Sequence, residues 1–240
     1  MIKDLPERIA DTMNRSIPAA PRLAVLFTAL LLAGTVAMPA SLFANAPAAA
    51  QKPANMADLP EVKNAETYLN ALRTMKARFV QTDNHGQRLT GEFLLKRPGR
   101  MRFEYDPPMT DFIVADGTFV HYYDGKMKQQ SSAPIGRSLA NFFLRGDIGF
   151  TKDLQIEDVR RDDAKHLHIT LTQAKDPLAG SITLIFSEGT GGTLALAGWR
   201  VLDPQGLTTD ILLENAQAGI RLGNDQFHYY DPQRTKPRYN

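Results

Sequence analysis

The 240-residue chain contains no cysteine. No disulfide staples its fold and no thiol serves as nucleophile or metal ligand, so a hydrophobic core has to hold the domain together by itself. The same absence excludes lipid attachment through a cysteine. A strong excess of one sign of charge is also missing. The 28 basic and 26 acidic side chains leave a formal charge of +2, without the basic excess or stripe that a nucleic-acid partner would require. The longest apolar run, from Leu23 to Val36, covers roughly 14 residues against the ~20 that a spanning helix needs, so a retained membrane anchor is the weaker reading. A Gly-x-Ser-x-Gly elbow and a glycine-rich phosphate loop with a lysine are both absent, and Gly189-Thr190-Gly191-Gly192 reads as a hairpin turn. Of the five histidines, only His166 and His168 share a strand face at a spacing that suits a metal. No acid is matched to them nearby in the sequence, so a surface pair is expected and not a metal site. The carboxylates fall mostly in turns, as at Asp116 and Asp124, where local backbone bonding accounts for them. No catalytic residue, metal or cofactor is expected, and the chain reads as something other than an enzyme.

The N-terminus has the form of a secretion signal. Arg22 precedes the apolar run, and small residues follow at Ala40, Ala44, Ala46, Ala48 and Ala50. Residues 1–50 are therefore expected to be a signal peptide and flexible leader, cut between 44 and 50. Export with cleavage and no lipid-bearing cysteine predicts a soluble periplasmic protein. A single domain over 58–232 and a polar tail over 233–240 complete the expected organisation.

Asp58, with Pro60 and Glu61 behind it, predicts a helix start, and Val62, Ala65, Leu69 and Leu72 then recur at helical spacing. From Ala77 the period changes to two. Alternating runs predict strands at Lys76 to Asp83, Arg88 to Arg97, Arg100 to Tyr105, Thr110 to Ala115, Thr118 to Tyr123 and Lys126 to Ser131. Asp116-Gly117 and Asp124-Gly125 give the strongest hairpin signals. The segment Pro134 to Leu144 carries Ile135, Leu139, Phe142 and Phe143 on one helical face and predicts a second helix. Strands resume at Leu154 to Arg160, His166 to Thr172, Ser181 to Phe186, Leu194 to Leu202, Thr208 to Gln217 and Gln226 to Tyr230. No strand-helix-strand alternation appears, so the sheet is antiparallel, and about 11–12 strands must curl to bury a face. The expected class is mainly β with an α lid: an incomplete, unclosed antiparallel barrel covered by helices.

Period two puts Gly91, Phe93, Leu95 and Arg97 on one face and Glu92, Leu94 and Lys96 on the other. After the Pro98-Gly99 turn, Met101 and Phe103 continue the apolar face. Spacing leaves two readings of Arg97 open. It frays into solvent beside the turn, or it faces the hollow and needs acceptors, which the carbonyls at the end of a covering helix would supply. The face of the Pro134 to Leu144 helix is open in the same way, between permanent core and movable lid.

Ala77-Arg78-Phe79-Val80-Gln81 after an amphipathic helix, then Gly91, Lys96-Arg97-Pro98-Gly99, Arg102-Phe103, Pro107-Pro108, Ile113-Val114-Ala115-Asp116-Gly117 and Tyr122-Tyr123-Asp124 resemble, in order and spacing, the LolA family of periplasmic lipoprotein carriers. The likeness runs from about Asp58 to Tyr230. It implies a half-barrel with a helical lid whose interior takes up the acyl chains of lipoproteins. On this basis the cavity and lid residues are Phe79, Phe93, Leu95, Met101, Phe103, Ile135, Leu139, Phe142 and Phe143, and Arg97 is a latch bonded to the lid in the closed state. The implied partners are acylated lipoproteins as cargo, an inner-membrane lipoprotein-releasing ABC transporter and, where one exists, an outer-membrane lipoprotein receptor. The implied protein acts as a monomer. Met101 and Phe103 stand where family members often have other aromatic residues, and Leu139 where they often have proline.

Overall fold

The structure is a computed structural model that describes residues 55–137 and 140–233. The expected signal segment and most of the polar tail lie outside the described residues, as does Leu139. A short 3-10 turn at Met56–Asp58 leads into helix α1 (Pro60–Ala71). The start signal differs in detail from expectation. Leu59 occupies the N-cap without a side-chain bond, and Asp58 instead pairs with Lys63 at 3.1 Å. Pro60 takes the first helical position, where its missing N–H costs nothing. Val62, Ala65 and Leu69 are fully buried, as their spacing requires.

Eleven strands follow: β1 (Thr74–Asp83), β2 (Arg88–Lys96), β3 (Arg100–Tyr105), β4 (Phe112–Asp116), β5 (Phe119–Asp124), β6 (Gln129–Pro134), β7 (Leu154–Arg161), β8 (Leu167–Gln173), β9 (Asp176–Glu188), β10 (Leu194–Leu202) and β11 (Thr208–Ala218). They form one antiparallel sheet in the order β6-β5-β4-β3-β2-β1-β11-β10-β9-β8-β7. The first and last strands of the chain's sheet, β1 and β11, pair at its centre, with Phe79 opposite Leu213. The terminal members β6 and β7 are not bonded to one another. The barrel is therefore open, as the sequence pattern implied.

Two elements differ from expectation. The segment Pro134 to Leu144 is not one helix. Strand β6 runs on to Pro134, which is tolerated because β6 is an edge strand. A 3-10 turn occupies Ile135–Arg137, and α2 is confined to Ala140–Leu144. The expected strand at Gln226 to Tyr230 is also absent. A 3-10 turn at Asp225–Phe227 sits there, and the segment crosses the convex side of the sheet, where Leu94, Leu222 and Phe227 make a small second core.

Alternation sorts the remaining strand residues. Met75, Ala77 and Phe79 of β1, Phe93 and Leu95 of β2, and Met101, Phe103 and Tyr105 of β3 face the concave side and are buried. On β8 and β9 the inward row is Leu167, Ile169, Leu171, Ile182, Leu184 and Phe186. In β10 a bulge between Leu196 and Gly198 shifts the phase by one, so that Leu196, Trp199 and Val201 are all buried. Helix α1 and the α2 segment cover this face, and the whole forms a single cluster.

Candidate functional site

The concave face is built around aromatic rings. Phe93 meets Phe103 at a tilt of 43° with centroids 4.7 Å apart, and Phe79 meets Phe103 and Tyr105 edge-on at 5.1 and 5.2 Å. Trp199 touches Phe93 on the sheet at 5.6 Å and Phe143 on α2 at 4.8 Å, so one indole bridges sheet and lid. Phe142 in turn reaches Phe150 at 5.9 Å. Among the expected lining residues, Phe79, Phe93, Leu95, Met101, Phe103, Phe142 and Phe143 come together in this one cluster, and Ile135 packs against it half-buried. Trp199, Phe150 and Phe186 belong to the same surface and were not anticipated from the sequence.

The lid is held by polar contacts from outside the hollow. The Gly99 N–H donates to the carbonyl of Leu144 at the end of α2 (2.7 Å), and Arg73 Nη1 donates to the Gly146 carbonyl (3.0 Å). Helix α1 grips the following loop. Asn70 donates to the Ile148 carbonyl and accepts from the Ile148 N–H at 2.9 and 2.8 Å, and Glu66 accepts from the Phe150 N–H at 2.6 Å. Arg145 forks onto Asp153 at 2.7 and 2.9 Å.

Arg97 continues the inward row of β2 and is only 6% exposed, which decides between the two readings: it does not fray into solvent. Its backbone N–H donates to the Arg73 carbonyl at 2.8 Å. All three side-chain nitrogens are buried, and among the described residues none has a hydrogen-bond partner. The carbonyl of Leu144, an expected acceptor for it, is taken by Gly99. Burial pushes the Arg97 pKa down to about 10, and the nearby cation Arg73 adds to the effect.

At the other end of β1 and β3 the face turns polar. The buried Tyr105 hydroxyl donates to Gln81 Oε1 at 2.7 Å, and Tyr122 donates to Asp111 Oδ2 at 2.9 Å. Burial, with Asp111 nearby, raises both phenol pKa values.

The histidine pair has the acid that the sequence reading overlooked. Asp162 Oδ2 lies 3.1 Å from His166 Nδ1 and 3.0 Å from His168 Nε2, and Asp162 Oδ1 accepts from the His166 N–H at 2.8 Å. The acid was missed because it precedes the pair across a turn, where Lys165 and Asp162 close the β7–β8 hairpin. Among the described residues there is no group of three or more His, Cys, Asp or Glu side chains arranged to hold a metal ion. No described helix is long and apolar enough to cross a membrane.

Fold and site together define an unclosed antiparallel half-barrel whose apolar concave face is roofed by two helices and carries one buried arginine. Residues 70–230 match the family described as outer membrane lipoprotein carrier protein LolA. The chain belongs to the LolA family. It is 28% identical over 187 residues to an outer-membrane lipoprotein carrier protein of Methylococcus capsulatus, covering 75% of this chain and 88% of that one. A protein of the same description from Legionella pneumophila (strain Paris) is 29% identical over 175 residues, covering 70% and 84%. Among solved structures, a LolA superfamily protein from Nitrosomonas europaea aligns with a TM-score of 0.41 at 12% identity, covering 70% of this chain and 97% of that one.

Proposed function

We propose that the protein ferries lipoproteins across the periplasm by their acyl chains, accepting them from an inner-membrane ABC transporter and delivering them to the outer membrane, through a receptor where one exists. The observation that carries this reading is the apolar concave face, joined to a lid through Phe143 and Trp199 in a sheet that stays open at one seam. Membership of the carrier family supports it. Export through a cleaved signal peptide and action as a cofactor-free monomer are part of the same proposal.

The energetics explain why such a carrier is needed. Moving one sixteen-carbon chain from a bilayer into water costs on the order of 10 kcal/mol, at ~0.8 kcal/mol per methylene. The protein has to offset most of that while leaving release possible. In the closed form the lining side chains pack on one another. Entry of acyl chains therefore requires α2 to lift and the aromatic cluster to part, and closing again drives the chains out. In this closed form no described residue accepts from the Arg97 nitrogens; their planar fork suits carbonyl oxygens, and the proposed latching bond forms when the lid shifts to present them.

Depletion in the source organism is expected to trap lipoproteins in the inner membrane, and unchanged sorting would overturn the proposal. The Arg97→Leu variant replaces the cation of the hollow with an apolar side chain. It is expected to load acyl chains and fail to pass them on, read as lipoprotein retained on the purified variant in a two-step transfer assay.

A further inference from the structure

A buried cation without acceptors is a statement about what the site takes. The Arg97 guanidinium is 6% exposed, and none of its three nitrogens meets an acceptor among the described residues. Among the described residues the charged group that acts on it is Arg73, a second cation. No carboxylate of the described residues does so. Leu95 and Phe93 continue from Arg97 along the same strand face toward Trp199, so the cation stands at one end of an apolar row. The molecule that complements this arrangement has an acyl chain for the row and a planar pair of anionic oxygens for the fork.

We propose that Arg97 seats the carboxylate of a long-chain fatty acid, whose chain lies along Leu95 and Phe93 against Trp199. A carboxylate matches the guanidinium fork with two parallel charge-assisted hydrogen bonds and neutralises its charge. A neutral ester supplies only acceptor oxygen and leaves the charge buried. The head also competes for the same nitrogens that a latch to the lid would use, which couples ligand entry to lid release. The inference rests on the concave face being an acyl-chain site and is independent of lipoprotein as the cargo.

Trp199 is the chain's single tryptophan and reports on this face directly. The purified full chain is titrated at pH 8 with dodecanoate and, separately, with methyl dodecanoate, following tryptophan emission and heat of binding. Dodecanoate is expected to bind about tenfold or more tightly than its ester, equivalent to ~1.4 kcal/mol or more. In Arg97→Met, checked for native circular dichroism, the ratio is expected to fall to about one, and in Arg97→Lys, which keeps the charge without the fork, to an intermediate value. Equal affinities in the parent protein, or a preference that survives in Arg97→Met, overturn the carboxylate seat while leaving the acyl site standing. Binding of neither ligand overturns both.

Discussion

Gly91 and Phe79 occupy one space on the concave face. A β-carbon on Gly91 would lie 2.5 Å from Phe79 Cε1 and 2.2 Å from the carbonyl oxygen of Glu104 on the neighbouring strand. The glycine is thus required by the ring that fills its place, and by the backbone opposite, which has no rotamer to retreat into. Gly91→Ala is expected to lower stability by about 1–3 kcal/mol or more, in the manner of an overpacked core. Urea unfolding followed by Trp199 emission measures it, and an unchanged midpoint would show that β2 and β3 can part locally.

Arg97→Leu is expected to make the ligand-free protein more stable. In this structure the guanidinium is desolvated and unbonded among the described residues, and its pKa falls to about 10 from the ordinary 12.5. A depressed basic pKa means that folding of the protonated chain carries a penalty, on the order of 1–3 kcal/mol. Leucine removes it. A rise in the denaturation midpoint is the expected result, and a fall would show that Arg97 bonds in a way that this conformation does not display.

Tyr105→Phe removes the donor that satisfies Gln81 Oε1 at 2.7 Å, in surroundings where both side chains are buried. The expected loss is about 1–2 kcal/mol. Gln81→Leu in the same background should recover part of it, because both polar groups are then gone; a double-mutant cycle reads the coupling.

Asp162 gives an acid-sensitive hairpin. Its pKa is held well below the usual carboxylate range, first by the His166 N–H, then by the His168 and His166 rings. For an acid with a depressed folded pKa, the stabilisation is complete above the unfolded value and is lost as pH falls toward the folded one. Melting temperature is therefore expected to decline as pH drops below the ordinary carboxylate range, and the decline should be shallower in Asp162→Asn. Identical profiles for the two proteins would remove Asp162 from the account.

Phe227→Ala tests the convex side. The ring is 1% exposed against Leu94 and Leu222, and Lys96 Nζ ties the same segment by bonds of 2.7 Å to the Leu222 carbonyl and to Asn224 Oδ1. A loss of about 2–4 kcal/mol is expected for emptying such a site, measured by chemical denaturation.

Much of this architecture was legible because one face of the sheet is apolar and the other polar, so that period two marks strands and hairpin residues mark their ends. Phe79, Phe93, Leu95, Met101 and Phe103 could be placed on one surface for that reason. Trp199 could not, since the bulge after Leu196 breaks the period just where it would have been counted. The C-terminal segment misled for a different reason. Ile220, Leu222 and Phe227 pack on a sheet face and do not join a sheet, which spacing does not distinguish. A signal was present, however: Leu94 and Val114 point outward, yet are apolar and buried, and outward apolar residues on central strands announce that something covers them. The α2 segment carries helical spacing, but Pro134 and Gly136 break it into an edge strand, a turn and a five-residue helix.

The unpaired ends of the sheet bear on how far the concave face can widen. A closed barrel has a circumference set by its hydrogen bonds, and widening it means breaking them. Here β6 and β7 are free of one another, so the sheet can uncurl through small changes in twist spread over eleven strands, with every ladder intact. Glu157, Asp158, Arg160 and Arg161 on β7 make that edge a poor template for a second sheet. Under the proposed function, the seam would serve as an expansion joint, allowing one scaffold to hold ligands of different girth.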